Sequence, residues 1–162
     1  MTLTALSHLL APWAHFYRHT TGVSTTVTYL HLAGILLGGG LAVATDRASL
    51  RLAPGTMPDW SQELARLAGV HRWVVASLAI IFVSGALMML AEIETFAPSV
   101  VFWSKMGLIV LLLGNGYARM RAETALGRGR SAAWRGFRLT SITSLALWFL
   151  ILLAGTLLQS SH

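Results

Sequence analysis

The 162-residue chain is 55% hydrophobic and 11% charged, with a mean hydropathy of +0.65, which is too apolar for one soluble core, where about a quarter of residues usually carry charge. It contains no cysteine, which excludes disulfides, thiolate metal sites, iron–sulfur clusters and cysteine nucleophiles. The formal charge of +6 is read by where the cations fall, because cytoplasmic loops of membrane proteins collect Lys and Arg; nucleic acid is not an expected partner.

Residues 1–22 are mixed in character. Leu6, Leu9, Leu10, Trp13 and Phe16 can share one apolar face, so the segment reads as an interfacial helix lying on the membrane and broken near Pro12. The first cation is Arg18, so no basic region precedes an apolar stretch as it does in a cleaved signal. Four apolar runs follow, at residues 23–45, 73–91, 100–118 and 139–158. Each is about 20 residues, enough at 1.5 Å per residue to cross a hydrocarbon core of ~30 Å. Backbone groups in lipid must pair within their own segment, so the spans are helices. The predicted fold is all-α, a polytopic four-helix transmembrane bundle with an N-terminal interfacial segment.

Between the spans, Pro54, Pro58 and Pro98 fall in connections. An amphipathic stretch at residues 59–70 leads into the second span, with Asp59 or Ser61 as its N-cap. Trp60, Trp73, Trp103, Trp134 and Trp148 are placed near span ends, where indoles prefer the interface.

Orientation follows from charge. The first connection holds Arg47, Arg51, Arg66 and Arg72, and the third holds Arg119, Arg121, Arg128, Arg130, Arg135 and Arg138. The second, "AEIETFAPS", has two glutamates and no cation. The positive-inside rule then puts both Arg-rich connections in the cytoplasm and both termini outside. The Arg-rich loops would touch anionic lipid headgroups.

Topology sets which polar groups can meet. His31 lies in the outer half of span one, and Lys105 in span three reaches a similar depth. Met88 and Met89 end span two on that side, and His19 could fold over from the surface segment. His31 with Met88 and Met89 is a candidate metal site, since thioether sulfur suits Cu(I). At the inner side stand Asp46, Arg47, His71, Asn115 and Arg119. His31 and His71 lie on opposite sides, so they cannot clamp one haem between them. His31, Gly34, Gly38 and Thr45 recur on one helical stripe. Small residues there either let another helix approach closely or admit a flat ring with His31 as its axial ligand. No Ser-His-Asp set, catalytic carboxylate pair or phosphate-binding loop is present, so no hydrolase site is expected.

An early histidine (His31), a Gly-rich middle and a terminal Asp46-Arg47 in span one resemble a group of bacterial four-helix membrane domains. That group includes the copper-resistance protein D family and the HemJ-type protoporphyrinogen oxidases. In "FWSKMGLIVLLLGNGYARM", Phe102, Lys105, Asn115 and Arg119 match the group's third span, and "IFVSGALMML" is similar to its second. The resemblance covers residues 24–120. It implies a multi-pass protein of the bacterial cytoplasmic (inner) membrane, its outside termini thus periplasmic, with His31 and Lys105 at the functional positions. HemJ-type proteins bind haem b and oxidise a porphyrinogen; copper-resistance D proteins are associated with copper passage.

Three readings stay open. In the first, His31, Lys105, Gly34, Gly38 and His19 contribute to a haem b site with a redox or electron-transfer role and a redox partner. In the second, the chain conducts copper or a small solute, or assists a protein that does. In the third, it is a structural subunit of a larger membrane complex.

Overall fold

The computed structural model describes residues 3–52 and 60–160, those at 3 and 60–68 by backbone alone. The elements in chain order are α1 (Leu3–His19), α2 (Thr21–Arg51), α3 (Trp60–Ala91), α4 (Ile93–Phe96), α5 (Val100–Gly127) and α6 (Ala133–Ser160). No strand occurs among the described residues. Four stretches are long and apolar enough to cross a membrane: Thr21–Arg51, Gly69–Ala91, Val100–Gly127 and Ala133–Ser160. The chain is an all-helical, multi-pass membrane protein.

Each of these helices outruns its apolar run. α2 continues six residues past Thr45, and α5 nine past Ala118. Nothing in "DRASLR" or "RMRAETALG" breaks a helix, so polar turns extend beyond the lipid-soluble stretch. The boundary at Asp59 lies outside the described residues, and Ser61 falls inside α3 rather than capping it.

The predicted break at Pro12 does not occur. α1 runs through it to His19. Pro12 is exposed, and losing one helical hydrogen bond on an exposed face is tolerable when the helix is held elsewhere. Trp13 Nε1 donates to the Leu87 carbonyl at 3.0 Å and Arg18 to the Ala91 carbonyl at 3.2 Å. Tyr17, Val27 and Ala91 bury together beneath α1. The break comes instead at Thr20, where backbone torsions leave the helical region for one residue.

The other corners are equally short. Ser99 Oγ accepts from Phe102 N–H and caps α5, while Trp103 Nε1 donates to the Ala97 carbonyl at 2.9 Å. Between α5 and α6, Gly129 takes φ +77°. The Arg130 N–H reaches the Ala125 carbonyl at 3.0 Å, and the Gly129 N–H reaches Leu126 at 2.9 Å. This is the Schellman closure, and it requires the left-handed conformation that glycine adopts without strain.

Packing is strongest within α2–α3 and α5–α6, so the bundle is two hairpins. They join mainly through α2 and α6, while α3 and α5 touch sparsely. The α2–α3 seam is close because glycines remove side chains. A Cβ on Gly34 would come within 2.8 Å of Ile81 Cγ1, and one on Gly38 within 2.8 Å of Ser77 Cβ. A Cβ on Gly39 would lie 3.2 Å from the Trp148 ring. Trp148 therefore does not sit at an interface as predicted. It is buried mid-helix with Leu112 and Leu147, filling the space that the glycines vacate.

Candidate functional site

Two polar clusters occupy the bundle, separated along the helices. Near the α4 end, His31 projects from α2 toward α3. Its Nδ1 lies 3.2 Å from the Ile81 carbonyl and 3.0 Å from Ser84 Oγ. A carbonyl only accepts, so Nδ1 carries the proton. Ser84 sends its own hydrogen to the Ile80 carbonyl at 2.6 Å and accepts from the imidazole as well. In the neutral form this bonding puts the lone pair on Nε2. Gly85 completes the seat, since a Cβ there would lie 3.2 Å from His31 Cε1. Lys105 of α5 is close enough for its charge to act on this ring. Its Nζ rests where a Cβ on Gly155 of α6 would be 3.5 Å away. Both side chains are half-buried.

The other residues assigned to this end by sequence do not join His31. His19 is exposed and stacks on His15, with ring centroids 4.2 Å apart. Met88 packs against the Tyr17–Val27–Ala91 cluster, and Met89 is half-buried on the same helix. Among the described residues no group of three or more His, Asp or Glu side chains converges as a metal site would need. Gly34 and Gly38 are covered by Ile81 and Ser77. Their stripe serves helix packing, and in this packing it has no room for a planar ring.

Near the arginine-rich end, Asp46 is 2% exposed and is paired with Arg119 across the bundle. Arg119 spends nearly its whole guanidinium. Nε donates to Glu123 at 2.8 Å, NH1 to Asp46 and to Ser141 Oγ at 3.0 Å, and NH2 to Ser49 Oγ at 2.8 Å. The Ser144 hydroxyl also faces the Asp46 carboxylate. The guanidinium carbon lies 5.2 Å from the centre of the fully buried Phe137 ring. Asn115 donates to the Thr140 carbonyl at 2.8 Å, one turn below, clamping α5 to α6. Arg47 and His71, expected in this cluster, are exposed instead. Adjacent helical residues point about 100° apart, so Asp46 can face the core only if Arg47 does not.

The serines of this network were not singled out from sequence. Their signal is spacing: Asp46 and Ser49 on α2, and Ser141 and Ser144 on α6, are each three apart. Each pair therefore places polar atoms on one face of an otherwise apolar helix.

Between the clusters lies an apolar layer. Trp148 over Gly38 and Gly39, with Leu112 and Leu147, falls midway along the helices. The buried Ser77 packs against Gly38 in the same layer. No family model, curated protein or solved structure matches this chain.

Proposed function

We propose that this is a bacterial cytoplasmic-membrane protein that binds one haem b through His31 and serves a redox or electron-transfer role. The observation that carries the reading is the anchored imidazole. His31 donates Nδ1–H to a backbone carbonyl and presents an unprotonated Nε2, the arrangement that ligating histidines adopt almost invariably. Lys105 supplies a cation at the same depth for a propionate, without having to lose a proton. An ammonium and an imidazole inside a span are costly without a purpose.

The fit is good at the ligand and poor at the glycine stripe. The glycine stripe is taken up by helix packing, so His31 and Lys105 are the residues that would hold the group. When bound, the iron supplies one-electron chemistry, and axial ligation and burial set its potential. The chain's contribution is to hold one ring nitrogen still and to place one positive charge. The periplasmic side is the reading's choice for this site, from the cation-poor second connection.

The test is an absorption spectrum of the protein purified in mild detergent, oxidised and then reduced. Expected are a Soret band and the sharp reduced bands of a b-type haem, both lost in His31→Ala with helicity unchanged. A featureless spectrum from cells supplied with haem overturns the reading. A second reading, a structural subunit of a larger membrane complex, is favoured by the filled glycine faces and the satisfied Arg119. It predicts that featureless spectrum. Passage of copper or another solute ranks below both, because the Trp148 layer divides the polar clusters.

A further inference from the structure

At the arginine-rich end α5 carries a second feature, independent of the haem reading. Tyr117, Met120, Arg121, Thr124 and Arg128 recur at helical spacing and share one face. The Gly129 turn carries Arg130 back to the level of Ala125. Together these residues line an open groove of about 450 Å³. Arg121 lies over the Tyr117 ring at 5.7 Å. The one nearby acid on this helix, Glu123, is committed to Arg119. Among the described residues no salt bridge involves Arg121, Arg128 or Arg130.

The groove is graded along its length. Tyr117 belongs to the apolar run of α5, and Met120 follows it. The three guanidiniums stand one to three turns further along, past the apolar run that ends at Ala118. An occupant matching both ends has an apolar portion in the membrane and a phosphate beside the arginines. Guanidinium recognises phosphate oxygens in a forked geometry, and cations near a membrane surface attract anionic lipid. We infer that this groove binds the headgroup of an anionic phospholipid, with its phosphodiester among Arg121, Arg128 and Arg130 and its glycerol end against Tyr117 and Met120.

The full chain is released from mixed phosphatidylcholine–phosphatidylglycerol bilayers and weighed by native mass spectrometry. Expected is selective retention of phosphatidylglycerol. The triple variant R121Q/R128Q/R130Q should weaken retention by at least about tenfold, since each cation near the surface contributes roughly fivefold. The comparison variant R51Q/R135Q/R138Q, which removes three exposed arginines elsewhere, should retain the lipid. Equal loss in both variants reduces the effect to general surface charge and overturns the inference. Displacement by inorganic phosphate makes the groove a soluble-anion site and overturns it too. If the triple variant does not fold, a photoactivatable phosphatidylglycerol on the native chain decides: labels within residues 117–130 support the site, and labels elsewhere refute it.

Discussion

The two polar clusters differ in how completely their atoms are used. Around Arg119 two carboxylates and two serine hydroxyls accept from one guanidinium, and Asp46 is sealed from solvent. Around His31 one ring nitrogen is fixed, the other is left with a lone pair, and the nearest cation sits half-exposed. A network that satisfies itself holds helices together and has little left for a ligand. A ring held through one nitrogen has its other nitrogen still to offer. The contrast is between a lock and a socket, and substitutions at each should read differently.

The sharpest break comes at the lock. Asp46→Ala leaves Arg119 buried without its partner across the bundle, and the expected loss is about 3–5 kcal/mol. It should appear as a large fall in thermal midpoint in detergent, with the double variant Asp46→Leu/Arg119→Met recovering much of it. Recovery would show that the pair is replaceable glue; continued collapse would assign the network a further task. Gly38→Ala comes next, because a methyl group would press on Ser77 Cβ. The overpacking cost is about 1–3 kcal/mol. Gly40→Ala meets nothing within 4 Å and should be neutral or slightly stabilising, up to about 1 kcal/mol by helix propensity. Equal effects at the two positions would contradict the close α2–α3 seam.

At the socket, His31→Ala should cost only about 1–2 kcal/mol of stability, and the proposed function expects it to abolish the haem bands. A stability loss as large as that of Asp46→Ala would move His31 into the lock class. The smallest effect belongs to α1. Trp13→Phe keeps the ring and removes the hydrogen bond to Leu87, at an expected cost of about 0.5–1.5 kcal/mol. Hydrogen exchange confined to α1 would report it.

The spans were legible because a lipid solvent leaves few choices: run length, proline placement and helical pairing give four helices. Depth follows from position along a span: Asp46 meets Arg119, and Asn115 bonds to Thr140 one turn away. Azimuth does not. Sequence neighbours such as Asp46 and Arg47 share a depth and point to different sides, and His71 shares the level while facing outward. The glycine stripe was visible as a smooth surface, but what filled it was not, because Trp148 arrives from a helix more than a hundred residues away. Pro12 misled because a local rule about helix breaking was outweighed by two side-chain anchors to α3.

The concentration of packing within α2–α3 and α5–α6 bears on how the chain is made. Within each hairpin the two helices are consecutive in synthesis, so little waiting is needed for local pairing. Asp46 is the exception. It emerges with α2, yet its counterion lies on α5 and the supporting serines Ser141 and Ser144 on α6. Until the second hairpin has inserted and docked, the first carries an acid on its core-facing side without the guanidinium that pairs with it in the finished bundle. A prematurely ended chain keeps that exposed defect, while a finished one buries it. The ion pair therefore forms only once both hairpins are in place, so its presence reports a fully assembled bundle.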